Sequence, residues 1–162
     1  MMPDELFVIK AGNKDVDCIS EISKANSINP WKKNAIAQEL NNGISSIYIV
    51  KKKAKVIGFV IMRITDCSEI VEIAVSSNFR KIGAGRALIT TCIENSMHNS
   101  ISDIVLQVRK SNKGALCFYI KCGFKILGER KNVFDNPIED GYIMNIRIED
   151  LKNENIGSGD IM

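Results

Sequence analysis

The densest chemistry in the 162-residue chain lies in seven consecutive residues: Arg80, Lys81, Ile82, Gly83, Ala84, Gly85 and Arg86. Three cations and two glycines sit between an apolar strand pattern ending in Ile73, Ala74 and Val75 and a helix pattern that begins at about Gly83. A helix start leaves its first N–H groups without carbonyl partners. Glycine lets a ligand come close to the backbone, and the helix dipole adds about half a positive charge there. Together these features grip an anion, and the three cations suit a pyrophosphate. An ordinary glycine turn ahead of a surface helix has the same local sequence, so the heptapeptide alone leaves both readings open.

Spacing removes two nucleotide readings. A dinucleotide fingerprint requires G-x-G-x-x-G, but the third position after Gly85 is Leu88, and no G-x-x-x-x-G-K-[ST] loop occurs.

Composition narrows the class. With 45% hydrophobic and 25% charged residues, the length is that of one globular domain, expected over residues 1–150. The polar segment 151–162 is expected to fray. A net charge of +3 is too small to argue for a nucleic-acid or membrane partner, so binding charge must be local. No apolar run reaches a membrane span and no leader pattern opens the chain, which predicts a soluble, cytoplasmic protein. Five cysteines without a C-x-x-C pair, in patterns that look buried, predict free thiols. One histidine, His98, offers no ligand set for a metal. Nothing in the sequence indicates an oligomeric state.

The elements that must position the loop follow from periodicity. Leu6 to Lys10 reads as a strand; Val16, Ile19 and Ile22 fall at helical spacing over Asp15 to Ala25. Pro30 in Asn29-Pro30-Trp31 predicts the start of a second helix, stopped by Asn41-Asn42-Gly43. Two β-branched runs separated by lysines predict a hairpin, and Ser68 to Ser76 another strand. Leu88, Cys92 and Ile93 mark a helix over Gly83 to Met97. A strand over Ile101 to Arg109, a helix over Asn112 to Lys121 ended by Gly123, and strands over Phe124 to Arg130 and Gly141 to Ile148 complete the chain. The order β-α-α-β-β-β-α-β-α-β-β predicts an α/β (α+β) domain with a mixed sheet.

In that setting the run EIAVSSNFRKIGAGRALI resembles the acetyl-CoA motif of the GNAT superfamily of N-acetyltransferases, an Arg/Gln-x-x-Gly-x-Gly/Ala run after an I-A-V-type strand, matched at Arg80, Gly83 and Gly85. Downstream, VLQVRKSNKGALCFYIKCGFKILGERKNVF and EDGYIM look like the second half of the branch of bacterial ribosomal-protein-alanine N-acetyltransferases, as does the upstream NPW. The resemblance spans roughly Asn29 to Met144.

The resemblance implies a GNAT fold with acetyl-CoA as cosubstrate and no metal. It implies that the backbone of Ile73, Ala74 and Val75 pairs with the pantetheine arm, and that Lys81, Ile82, Gly83, Ala84, Gly85 and Arg86 hold the pyrophosphate, with Arg80 at the mouth of the loop. Asn112 would hydrogen-bond the cosubstrate near its thioester, and Tyr119 would protonate the leaving thiolate. A phenol of pKa about 10 is suited to share its proton with a departing alkyl thiolate. Taken without the family, Tyr119 also reads as an aromatic on the apolar face of a short helix with Leu116 and Ile120.

The base is where the sequence departs from its branch. The glutamate of the branch's L-E-V-R falls on Gln107, whose amide accepts no proton near neutral pH. Gln107 remains able to hold a water or the incoming amine. An α-amine of pKa about 8 is neutral to roughly one part in ten at pH 7, whereas a lysine near 10.4 is neutral to about one part in 2,500, a handicap of about 3 kcal/mol. Losing the carboxylate is therefore more tolerable for an N-terminal substrate.

Glu69 occupies the place of the strand glutamate of the superfamily's histone-acetylating members, four residues before Ile73, and is a second candidate base. Glu72 is expected on the opposite face from Glu69 and Ile73 by strand alternation. Both also read as solvated strand charges. Trp31 reads as a core anchor, and His98 as a surface residue at a helix end. Arg109 either orients the site or ends its strand, and Glu139 with Asp140 either attract an amino terminus or form a solvated turn. The expected activity is acetyl transfer to a protein N-terminal α-amine, that of a small-subunit ribosomal protein starting with alanine. A GNAT enzyme for a small amine or lysine, and a silent acyl-CoA-binding module, are the alternatives.

Overall fold

The structure is a computed structural model that describes residues 5–152. Its strands are β1 (Leu6–Lys10), β2 (Ser45–Lys52), β3 (Lys55–Ile64), β4 (Ser68–Val75), β5 (Asp103–Arg109), β6 (Lys125–Phe134) and β7 (Glu139–Arg147). Its helices are α1 (Val16–Asn26), α2 (Lys33–Leu40), α3 (Ala84–His98) and α4 (Lys113–Lys121), followed by a helical turn at 148–152. The order is the one the periodicities predict, and the strands form a mixed sheet, β1-β2-β3-β4-β5-β7-β6. The expected fraying segment lies, from residue 153 on, outside the described residues.

The chain divides into two compact units, one holding residues up to Thr65 with Ile70–Cys92, the other Asp66–Glu69 with residues from Ile93 on. In the first, β1, β2 and β3 form an antiparallel meander that leads to β4. Helices α1 and α2 bury Ile19, Ile22 and Ile36 in one cluster with Ile47, Ile49, Phe59, Ile61 and Ala74. Trp31 packs against that cluster and its backbone N–H donates to Ser23 Oγ at 2.8 Å, so it is the expected anchor. Pro30 is not at the first helical position, because α2 begins only at Lys33 after the extended residue Lys32.

Gly58 on β3 fixes a close approach. A Cβ there would stand 2.8 Å from the Ala74 carbonyl oxygen and 3.0 Å from Val50 Cγ1, so only glycine lets β4 lie this near.

In the second unit β7 lies between β5 and β6, antiparallel to both, and Ser68 and Glu69 at the start of β4 pair parallel with Ile104 and Val105. Ile104, Leu106 and Val108 are buried, as the alternation of β5 predicts. Ser68 and Ser96 bury their hydroxyls against each other at 2.6 Å. All five cysteines are free thiols; Cys92 is fully buried, but Cys18 and Cys117 are exposed, against the expectation of burial.

Candidate active site

In the first unit taken by itself, β4 is the edge strand, and its Ile73, Ala74 and Val75 form the last stretch before the loop. An edge carries N–H and C=O groups able to pair with an extended ligand. The chain then leaves the strand through a bond from Ser76 N–H to the Ile57 carbonyl and a 3-10 turn at Ser77–Phe79.

Two residues make the turn into α3 left-handed, Lys81 at φ 63° and Gly83 at φ 92°. Glycine accepts that conformation without cost, whereas a lysine is held there by its surroundings. Nothing lies within 4 Å of where a Cβ of Gly83 would stand, so space around this backbone is open. Ala84, only 2% exposed, pins the first turn of α3 to the core, while Arg80, Lys81, Ile82, Gly83 and Arg86 are exposed and Gly85 is half-buried. The Ala87 N–H donates to the Gly83 carbonyl, and the N–H groups of the helix's first residues have no partner inside α3. This is a cradle of amides and cations of the kind that binds phosphates.

Arg80 is committed differently from its neighbours. Its Nε donates to the Val75 carbonyl at 3.3 Å and its Nη2 to the side-chain oxygen of Asn26, at the end of α1. It braces the loop against strand and helix.

In the second unit, Tyr119 is 8% exposed and held by aromatic contacts to Phe118 and, edge-on at 5.7 Å, to Phe124. The expected companion Ile120 is 52% exposed and points away, because the buried face of α4 follows Leu116 and Tyr119 rather than the next residue round. Asn112 is the N-cap of α4, its Oδ1 accepting from Ala115 N–H at 3.1 Å, which leaves the amide nitrogen as a donor. Gln107 is exposed on β5, opposite in face to Leu106 and Val108. Glu69 pairs with Val105, two residues before Gln107, so Glu69 and Gln107 share one face of this pair of strands.

Arg109 does not end its strand idly. Its guanidinium donates to the Pro137 and Asp135 carbonyls, each at 2.8 Å, and to Glu139 Oε1 at 3.2 Å, and stacks 4.7 Å over the Phe134 ring. Glu139 also accepts from Ser111 N–H at 2.7 Å, and these bonds hold its carboxyl below the usual carboxylate range. Asp140 accepts from Asn132 N–H at 2.9 Å. The two acids are thus engaged in the β6–β7 turn.

The sequence profile described as Acetyltransferase (GNAT) family matches residues 17–124. The chain belongs to that family. This acetyltransferase is 30% identical over 131 residues (79% of the chain, 87% of the relative) to the ribosomal-protein-bS18-alanine N-acetyltransferase of Haemophilus ducreyi. It is 28% identical over 139 residues (85% and 92%) to a Bacillus subtilis protein that bears the same name provisionally. Its fold matches the crystal structure of the ribosomal-protein-S18-alanine N-acetyltransferase from Escherichia coli with a TM-score of 0.80 at 23% identity, over 89% of this chain and 94% of that one.

The family's acyl donor is acetyl-CoA, and the acetyltransferase's β4 edge and 81–86 turn fit its two demands, backbone groups for an amide-containing arm and amides with cations for a diphosphate. Among the described residues no group of three or more His, Cys, Asp or Glu is placed to hold a metal, and no helix is long and apolar enough to cross a membrane.

Sequence reasoning missed the environment of Glu72. Val71 and Ala74, of opposite parity along β4, both pack on the core beneath α1 and α2, so the alternation is interrupted between them. Glu72 lies at that interruption, half-buried rather than solvated, with Oε2 3.5 Å from Ser27 Oγ at the C-cap of α1. Burial pushes its carboxyl up to about 7.

Proposed function

We propose that this acetyltransferase moves the acetyl group of acetyl-CoA to the α-amine of a protein N-terminus, and that its substrate is the N-terminal alanine of a small-subunit ribosomal protein in the cytoplasm. The donor half rests on one observation: the Ile73–Val75 end of β4, an edge within the first unit, leads through a 3-10 turn into a left-handed turn with exposed backbone and cations. The acceptor half is supported by the relatives named for that alanine.

In this reading the Ile73–Val75 backbone aligns the pantetheine arm, Lys81–Arg86 neutralise the diphosphate, and Arg80 keeps the loop in shape. Asn112 donates its amide nitrogen near the thioester. The amine, held by Gln107 directly or through water, attacks the acetyl carbon in a ternary complex; a C–N bond forms and the C–S bond breaks. Tyr119 gives its proton to the thiolate, and Glu69, on the same face as Gln107, is a carboxylate available to the amine's proton. The Gln107 departure favours an α-amine, which needs little help to lose its proton, over a lysine.

The test follows thiol release from acetyl-CoA with peptides that begin with a free alanine, with the same peptides blocked at the terminus, and with Tyr119→Phe. Release only with the free terminus, and slowed by the substitution, is the expected result. Release indifferent to both changes contradicts the reading. Transfer to polyamines or lysine but not to alanine peptides supports a small-amine enzyme instead, which the missing carboxylate at Gln107 also permits.

A further inference from the structure

Glu72, on the cosubstrate strand, is withdrawn from solvent with a hydroxyl rather than a cation beside it. Among the described residues its hydrogen-bond partner is the Ser27 hydroxyl, and at 3.5 Å that contact is at the limit of a hydrogen bond and leaves the charge largely uncompensated. Three other acids are better served. Glu39 has Arg63 and Ser45, Glu139 has Arg109 and Ser111 N–H, and Asp15 accepts from Gly12 N–H. A desolvated carboxylate left short of partners is costly unless something charged arrives to meet it.

Its position suits an arriving amine. Glu72 immediately precedes Ile73, Ala74 and Val75, the stretch taken above to align the thioester arm, and the break in alternation between Val71 and Ala74 turns it toward the end of α1. Breaks of this kind re-aim side chains beside active sites. We infer that Glu72 receives the acceptor's α-ammonium and takes its proton, supplying the carboxylate that Gln107 no longer provides. This rests on the acetyltransferase reading above.

The proton balance is complete. The ammonium gives one proton to the Glu72 carboxylate and becomes an amine. The amine forms the C–N bond as the C–S bond breaks, its second N–H proton leaves to Glu69 or to water, and the thiolate takes the proton of Tyr119, which water restores. Glu72 returns its proton to solvent once the neutral amide departs. A carboxyl titrating at about 7 is close enough to an α-amine near 8 for that exchange to run readily at neutral pH, where an ordinary carboxylate is a poor acceptor.

The experiment is a calorimetric titration of the CoA-loaded protein with a short alanine-initiated peptide and with its N-acetylated form, for wild type, Glu72→Gln and Glu72→Asp. Glu72→Gln is expected to weaken the free-amine peptide by at least about tenfold, the loss of one charged partner. It should leave the acetylated peptide and CoA unchanged, and Glu72→Asp should recover part of the loss. In steady state, the rise of kcat/KM with pH should move toward the titration of the amine itself in Glu72→Gln. If the peptide binds equally to wild type and Glu72→Gln, or does not distinguish its free from its acetylated form, the inference is overturned. The thiol-release assay on wild type separately decides whether an α-amine is acetylated at all. Should Glu72→Gln fail to fold, as judged by lost CoA binding, the comparison of wild type with Glu72→Asp decides: equal affinities for the free amine overturn the inference.

Discussion

The guanidinium of Arg80 donates to the side-chain oxygen of Asn26, joining the mouth of the phosphate loop to the last turn of α1, and donates as well to the Val75 carbonyl. The arginine of the motif is therefore a brace, which a surface asparagine some fifty positions earlier in the chain completes.

Removing either end of the brace should loosen the loop. Arg80→Ala and Asn26→Ala are each expected to weaken acetyl-CoA about tenfold, the value of one hydrogen bond to a charged group. The double substitution should add little to Arg80→Ala, which already removes the contact with Asn26 along with that to Val75. Additive losses in a titration of the four proteins would mean that Arg80 acts on the cosubstrate independently of Asn26.

Gly58→Ala tests how closely β3 must approach the cosubstrate strand. The new methyl would meet the Ala74 carbonyl at 2.8 Å, backbone that cannot swing away. The expected loss is about 1–3 kcal/mol of stability by denaturant unfolding, typical of overpacking. Acetyl-CoA binding should weaken with it, because β4 itself must move.

Tyr119→Phe should leave the protein folded, since the ring keeps its packing on Phe118 and Phe124. Its kcat should fall by about a hundredfold or more, in the range of a lost general acid, with KM little changed. Steady-state kinetics at saturating acetyl-CoA make the measurement.

Glu72 ties stability to pH in the protein without ligands. Its folded carboxyl titrates at about 7 against an ordinary 4.5, so the native state keeps a proton that the unfolded chain releases. The stabilisation is fully present below 4.5 and is lost as pH rises through 7, up to about 3 kcal/mol across the window. Denaturant unfolding at a series of pH values should register that decline, and Glu72→Gln should flatten it.

Much of this was readable in the chain. The element order followed from periodicity, and the loop from the way Arg80, Gly83 and Gly85 fall between strand and helix patterns. Gly123 stops α4 where a helix stop was expected, at φ 103°. What was hidden depends on tertiary contacts. By its charge Glu72 reads as a solvated strand residue, and only the packing of both Val71 and Ala74 on one core reveals the break in alternation beside it. Arg109 ends a strand in the sequence, but the carbonyls it clamps belong to residues nearly thirty positions away. The expected start of α2 failed because Pro30 sits in the connection between helices, ahead of the extended residue Lys32.

The most direct test of the central claim is a calorimetric titration of acetyl-CoA into the wild-type protein and into a variant carrying Lys81→Glu and Arg86→Glu, at low and raised salt. The account predicts saturable binding to wild type that weakens as salt rises, and its loss in the charge-reversed loop. Absent binding to wild type, or equal binding to both proteins, would contradict the assignment of the turn between β4 and α3 as the diphosphate grip.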